Sequence, residues 1–221
     1  MIEHIKINGH ASDRQHGFTK GKSTTTNILE ALNIWSEALM HQIPIDVIYL
    51  DYRKAFDSVP HQRLIMQVKS FGIGGQALKW IEAFLSNRRQ KVLVNGAESS
   101  WSPDLSGIPQ GSILGPVLFT MFVNDLPNEV QSIISMFADD TKLFLPLITD
   151  DTSAQIAADL AILEAWAKRM QMNFHPSKCK VMHLGRRNPN KAYYMTTDGG
   201  ELHKLDVADT EKDLVRGSYR L

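Results

Sequence analysis

Two adjacent acids, Asp139 and Asp140, stand between apolar, β-prone runs at residues 133–138 and 143–147. The pattern predicts a hairpin with the acids at its tip. Successive side chains along a strand point to opposite faces, so one carboxylate can face a site while its neighbour turns away. Acids at a turn also serve as plain turn formers, and this pair alone would carry no more than that. A further acid changes the reading: residues 45–50 form a largely apolar run that ends in Asp51. If both runs are strands of one sheet, they deliver carboxylates to the same edge. Such a set suits a pair of Mg²⁺ ions, which bind through a few carboxylates plus substrate phosphates.

The rest of the chain must build that sheet and cover it. Ser23 or Thr24 is placed to cap a helix over 24–41, with Ile28, Leu29, Leu32, Trp35, Leu39 and Met40 at helical spacing as its core stripe. Pro44 closes it, and 46–52 is the first buried strand. Helices are expected over 61–71, ended by Gly72, and over 76–85, with Trp80, Ile81 and Phe84 inward. Residues 90–94 and 98–101 flank Asn95-Gly96, a hairpin turn signature. A stretch rich in glycine and proline, 105–116, precedes an apolar helix expected over 117–126. Beyond the acidic hairpin, a helix over 152–172 carries Ile156, Leu160, Leu163, Trp166 and Met170 on one side, and a strand over 180–184 follows Pro176. Residues 186–221 begin basic, with Arg186, Arg187 and Lys191, and show only weak strand signals. Strands interleaved with helices predict an α+β fold, a small antiparallel sheet backed by helices that holds both acidic strands side by side.

Composition sets further bounds. At 221 residues and 43% apolar, the chain is long enough for one good core. No apolar run reaches membrane-spanning length, and no signal peptide is visible. The single cysteine, Cys179, excludes an intrachain disulfide and fits a reducing compartment. Lys plus Arg and Asp plus Glu each total 24, which counts against a self-sufficient nucleic-acid binder but leaves room for a local basic wall.

Two tempting motifs fail. Gly21-Lys22-Ser23 lacks the glycine that a P-loop needs five places earlier, where His16 stands, and no strand leads into it. His175, Cys179 and His183 are spaced by four, but Pro176 breaks any helix that would align them as zinc ligands, and no fourth ligand is evident.

Three blocks taken together are far more specific: Tyr49-Leu50-Asp51-Tyr52-Arg53-Lys54-Ala55-Phe56-Asp57-Ser58-Val59-Pro60-His61, then Ser106-Gly107-Ile108-Pro109-Gln110-Gly111-Ser112, then Phe137-Ala138-Asp139-Asp140. In this order they resemble the reverse transcriptase of non-LTR (LINE-type, jockey-like) retrotransposons. Gln15-His16-Gly17-Phe18, Gly21-Lys22-Ser23-Thr24, Leu85-Ser86-Asn87-Arg88-Arg89-Gln90 and Asn124-Asp125-Leu126-Pro127 support the resemblance, which runs from about residue 12 to 185 and more loosely to about 214.

The resemblance implies a polymerase palm: a fingers remnant and helix in 1–45, the palm proper in 46–185 and a loosely matching tail in 186–221. It implies RNA-directed DNA polymerase activity, with an RNA template, a DNA primer, dNTP and two Mg²⁺ ions, Mn²⁺ being a possible substitute. Asp51 and Asp139 would be catalytic metal ligands, with Asp140 completing the catalytic and metal-binding set as a supporting acid. Phe56 falls where the family places an aromatic gate against a ribose 2′-hydroxyl, although a core phenylalanine would look the same. Arg53 and Lys54 read as triphosphate contacts or as solvated turn charges, and Asp57 as a helix cap. Gln110 would lie beside the nascent base pair, with Gly111 letting backbone come close. Lys178 matches a lysine that the family places near the leaving pyrophosphate as a general acid, or it is a plain surface lysine. Arg88, Arg89 and Lys91 read as contacts to the template–primer backbone or as the charges of a solvated hairpin.

The sequence departs from the family at both ends. An upstream basic fingers segment is missing, and the approach to the primer grip at 211–215 is not continued by 216–221. The chain therefore reads as a palm-centred fragment, with a non-catalytic remnant that at most binds nucleic acid or a partner protein as the alternative. A different two-metal palm enzyme, such as a cyclase, is disfavoured by the Gly-Ile-Pro-Gln-Gly block. The resemblance implies an intracellular protein acting at chromosomal targets, which makes the nucleus plausible, but the sequence itself carries no convincing nuclear signal and leaves the location open.

Overall fold

The computed structural model describes residues 11–149, 151–213 and 217–219. In chain order they form α1 (Thr24–Met40), β1 (Ile45–Leu50), α2 (Ala55–Ser58), α3 (His61–Ser70), α4 (Gly75–Leu85), the short strands β2 (Arg89–Gln90), β3 (Leu93–Val94), β4 (Ala97–Glu98) and β5 (Ser102–Pro103), then α5 (Leu114–Phe122) and a 3-10 turn at Leu126–Asn128. There follow β6 (Ile133–Phe137), β7 (Asp140–Pro146), α6 (Thr152–Met170), β8 (Lys180–Leu184), β9 (Tyr194–Thr196), β10 (Leu202–Lys204), β11 (Asp206–Val207), β12 (Glu211–Asp213) and β13 (Gly217–Tyr219). The chain divides into two compact units, one built on Ser12–Arg53 with Asn124–Leu221, the other on Lys54–Val123.

The first unit holds a five-stranded sheet in the order β11-β8-β1-β7-β6. Its pairings are antiparallel except for β11, which runs parallel to β8. The two acidic strands are neighbours, as expected, with Leu50 of β1 opposite Thr141 of β7. Strand alternation sends Ile45 and Val47 to one face, where they join Ala31, Trp35 and Ala38 of α1 with Phe144, Met182 and Leu184. Trp35 meets Phe144 edge-on at 5.6 Å. Ser23 caps α1 in a reciprocal bond with Thr26, two orphan helix-end groups satisfied at once. The buried stripe of α1 differs from the expected one. Leu29 and Met40 are 57% and 83% exposed, and the small residues Ala31 and Ala38 replace them against the sheet.

Asp46 points to the opposite face and is fully buried. A carboxylate survives there only because it is saturated with partners: His183 Nδ1 at 2.6 Å, Asn188 Nδ2 at 2.7 Å and the Tyr193 hydroxyl at 2.6 Å. These bonds tie residues 188–193 onto the sheet. The segment after β8 is thus more structured than its weak strand signals suggest, and Tyr193, Met195 and Leu205 are buried. α6 packs along β7 and β9, burying the expected Ile156, Leu160, Leu163, Trp166 and Met170. Fully burying an apolar side chain contributes roughly 1.5–3 kcal/mol. The same helix buries Asp159, which accepts from the backbone N–H of Ser132 at 2.7 Å at the entrance to β6. Residues 1–10, 150, 214–216 and 220–221 lie outside the described ones, and with them the last two residues, Leu214 and Val215, of the segment compared above with the approach to a primer grip.

In the second unit, α3 packs against α4 and α5, with Leu64, Val68, Ile81, Leu85, Leu118, Phe119 and Phe122 buried. Trp80 is not inward as expected. It is 60% exposed and stacks on Phe84 instead. α5 starts three residues earlier than expected, because Pro116 sits within the first turn, where a missing N–H costs nothing. Asn95 and Gly96 both take positive φ, 49° and 83°, closing the β3–β4 hairpin as the sequence signature requires.

Candidate active site

β1 and β7 bring Asp51 and Asp139 to one end of the sheet. Leu50 pairs with Thr141, so Asp51 follows the last β1 pair, while Asp139 occupies the two-residue turn closed by Phe137 and Asp140. Asp139 is partly buried and Asp140, the first residue of β7, is exposed, the alternation expected of neighbours at a hairpin tip. Burial raises the pKa of Asp139 above its ordinary 3.8, and the negative charge of Asp51 adds to the rise against an opposing backbone hydrogen bond. Two like charges, one partly withdrawn from water, form a pair that a cation would relieve.

Asp51 is held by the segment that precedes β8. Its N–H donates to Cys179 Sγ at 3.3 Å, and its carbonyl accepts from His175 N–H at 2.8 Å. The N–H of Arg53 donates to the Asn173 carbonyl at 2.8 Å, and between these bonds the Tyr52 and Phe174 rings stack at 4.5 Å. Lys178 Nζ stands 3.9 Å from Asp51 Oδ1, with both side chains largely exposed. Arg53 forms an ion pair with Asp198. The three residues considered for zinc have other partners: Cys179 the backbone of Asp51, His183 the Asp46 carboxylate and His175 the Ser177 hydroxyl.

The second unit carries the other sequence-derived candidates. Lys54 is exposed and left-handed (φ 50°) at the head of α2. Phe56 is half-buried and stacks on Phe119 with centroids 4.3 Å apart. The glycine-proline-glutamine block is laced to α2: Ile108 N–H donates to the Phe56 carbonyl and Gly107 N–H to the Val59 carbonyl, each at 2.8 Å. Gln110 Nε2 donates to Asp57 Oδ1 at 2.8 Å. Asp57 is therefore not a cap. It lies inside α2, whose cap position is Lys54, and its carboxylate orients Gln110. Gly111 has φ +77°, and a Cβ there would meet nothing within 4 Å, so the glycine serves the backbone angle and leaves open space in front. Arg88 pairs with Asp104 at 3.6 Å. Arg89 and Lys91 lie over the half-exposed Trp101 ring at 6.0 and 5.2 Å, a cation–aromatic surface.

Asp51, Asp139 and Lys178 are thus gathered in the first unit, while Phe56, Asp57 and Gln110 are gathered in the second. Sequence reasoning missed the role of Cys179 beside Asp51, since a lone buried cysteine carries no periodic or spacing signal. Among the described residues no group of three or more His, Cys, Asp or Glu is arranged to hold a metal. The site offers a carboxylate pair, and that fits a hard divalent cation whose remaining ligands are substrate phosphates and water.

The family model for "Reverse transcriptase (RNA-dependent DNA polymerase)" matches residues 1–210. An RNA-directed DNA polymerase from mobile element jockey of Drosophila funebris is 30% identical over 178 residues, 75% of this chain and 19% of that protein. A Pol polyprotein from the type-1 retrotransposable element R2 of Popillia japonica is 28% identical over 186 residues, 76% of this chain and 30% of that protein. The chain spans about a fifth of the length of the jockey proteins it matches. Among solved structures, apo telomerase from Candida tropicalis superposes with a TM-score of 0.61 at 10% identity, over 92% of this chain and 43% of that one. At that identity the likeness concerns the fold, an α+β polymerase palm.

Proposed function

The chain belongs to the reverse transcriptase (RNA-dependent DNA polymerase) family, and from that premise we propose that it catalyses RNA-templated addition of a deoxynucleotide to a primer 3′-hydroxyl, as part of a non-LTR retrotransposon protein. The observation that carries the proposal is the juxtaposition of Asp51 and Asp139 at the end of two paired strands, close enough that the charge of one raises the proton affinity of the other. Reverse transcriptases use divalent metal ions, and two Mg²⁺ bound here would acidify the primer hydroxyl and neutralise the leaving pyrophosphate.

The chain's own residues divide the remaining work. Asp51 and Asp139 supply the fixed negative charge that holds the cations, with Asp140 supporting from the outer face. Lys178, already beside Asp51, donates a proton toward the departing pyrophosphate. Arg53 and Lys54 hold the triphosphate, Arg53 exchanging Asp198 for phosphate oxygens. Phe56 excludes the ribose 2′-hydroxyl by bulk, its ring braced by Phe119. Gln110, oriented by Asp57, and Gly111 line the nascent base pair. Arg88, Arg89 and Lys91 hold the template–primer backbone, with RNA as template and DNA as primer. In this reading 46–185 is the palm and 1–45 a fingers remnant.

Primer extension on an RNA template with Mg²⁺ and dNTPs tests the proposal, comparing wild type with Asp51→Ala and Asp139→Ala. Extension abolished by either substitution is expected. Equal extension by the Asp139→Ala protein would refute the assignment, and a folded wild-type chain that neither extends a primer nor binds Mg²⁺–dNTP would favour a non-catalytic remnant.

A further inference from the structure

The turn that carries Asp139 is strained and needs an external brace. Ala138, the residue before Asp139, has φ +56°, uncommon for a residue with a Cβ. Such a conformation persists only where its surroundings over-determine it. One side chain does most of that. Gln15 is 3% exposed and spans Ala138 from both sides of its peptide. Its Oε1 accepts from Ala138 N–H at 2.9 Å, and its Nε2 donates to the Ala138 carbonyl at 3.4 Å. The same Oε1 accepts from Gly17 N–H at 2.7 Å, so the amide is itself locked.

Backbone holds Gln15 in turn. Residues 14–16 lie beside β6 as a parallel bridge between Gln15 and Met136. Arg14 O accepts from Met136 N–H at 2.9 Å, and His16 N–H donates to Met136 O at 2.8 Å. Asn27, buried in α1, donates to the same Met136 carbonyl at 3.1 Å and to Ser135 Oγ at 2.7 Å. Gly17 lets the brace close, because a Cβ there would fall 2.3 Å from Ala138 N. The glutamine amide thus imitates a strand backbone at the point where the β6 ladder ends, pairing with the N–H and C=O that the turn leaves over.

We infer that Gln15 is a positioning residue for Asp139, acting through Ala138 to fix the direction in which that carboxylate leaves the sheet. The inference rests on the proposed role of Asp139, but its first test does not.

Amide hydrogen exchange of the full chain is compared for wild type, Gln15→Met and Gln15→Glu, alongside primer extension. Methionine keeps the length without the hydrogen bonds; glutamate keeps an acceptor for both N–H groups. Loss of one hydrogen bond at a local opening predicts about tenfold faster exchange at Ala138 in Gln15→Met, with Ile48 and Leu143 in the sheet centre unchanged. Gln15→Glu is expected to retain part of the protection, because it keeps the acceptor but sets its second oxygen against the Ala138 carbonyl. In extension, Gln15→Met lowers kcat and leaves the KM for dNTP unchanged, and Gln15→Glu restores part of the loss. Unchanged exchange at Ala138 in Gln15→Met would overturn the inference. So would equal loss at Ile48 and Leu143, which would make Gln15 a general stabiliser, or an unaltered kcat. If wild type extends no primer, the catalytic reading fails while the exchange comparison still decides whether Gln15 holds the turn. Should Gln15→Met not fold, Gln15→Asn, one methylene too short to span Ala138, gives the same comparison.

Discussion

The Cys179 thiol is bonded to the backbone of Asp51: Sγ accepts the Asp51 N–H at 3.3 Å and its S–H points at the Asp51 carbonyl, 3.8 Å away. A residue 128 positions downstream thereby fixes the peptide from which the first acid projects. Burial pushes the thiol up to about 11, so it stays a neutral, unreactive hydrogen-bonding group.

Cys179→Ala is expected to lower extension several-fold for a stability loss of about 1 kcal/mol, and Cys179→Ser to recover part of both, since a hydroxyl can still accept the Asp51 N–H. A thiol reagent should label Cys179 only after denaturation. Rapid labelling of the folded chain near neutral pH would show that the bond is not made.

For Asp139 the sign of the pH linkage matters. Its folded-state pKa lies above 3.8, because burial and then the Asp51 charge favour the protonated form. The stabilisation this gives is complete below 3.8 and is lost as pH rises through the folded pKa. At neutral pH the ionised group works against the fold. Asp139→Asn should therefore raise the melting temperature in a chelator by roughly 2–4 °C. Added Mg²⁺ should stabilise wild type and not the variant. A variant that melts lower than wild type in chelator would contradict the electrostatic picture.

His16 titrates with the opposite consequence. It is buried, with Nδ1 2.9 Å from Thr26 Oγ1 and Nε2 2.8 Å from Glu30 Oε2. Burial holds its pKa below 6.5 despite Glu30 at ion-pair distance, which pulls the other way. The neutral ring's contribution is complete above 6.5 and is lost as pH falls from there through the folded pKa. Urea midpoints should fall more steeply between about pH 7 and pH 5 for wild type than for His16→Gln. Parallel slopes would mean that the group is not withdrawn from water.

Phe56→Val should lower discrimination between deoxynucleotides and ribonucleotides at least about tenfold, because the proposed selection is by clash alone. It should also cost roughly 1–3 kcal/mol, through the lost stack on Phe119. Competition between labelled dNTP and rNTP in extension reads the first, and denaturant unfolding the second. Unaltered discrimination would leave Phe56 as a core residue only.

The acidic strands and their adjacency were legible because each is a long apolar run ended by an acid, a pattern that needs no partner to be recognised. α6 was legible for a similar reason: its buried residues recur at helical spacing over the whole element. The segment after β8 was not. β11 is exposed at both residues and owes its existence to a parallel bond pattern with β8, while Tyr193, Met195 and Leu205 are buried too sparsely to make a period. Trp80 and Leu29 look like core by type, yet helix geometry turns them to solvent. Gln15 and Cys179 were invisible as positioning groups because each acts on a backbone more than a hundred residues away. Sequence periodicity has no register for such contacts.

The central place of β1 in the sheet has a consequence for biosynthesis. Its hydrogen-bonding partners on both edges, β7 and β8, are encoded some ninety residues or more downstream. At ribosomal rates of about 5–20 residues per second, this apolar strand waits roughly 5–20 s before either edge can be paired. Contacts of such sequence separation also close slowly once available. The nascent chain therefore passes through a period in which its central strand is unsatisfied, and its yield of soluble product should depend on chaperone capacity more than on the stability of the finished fold.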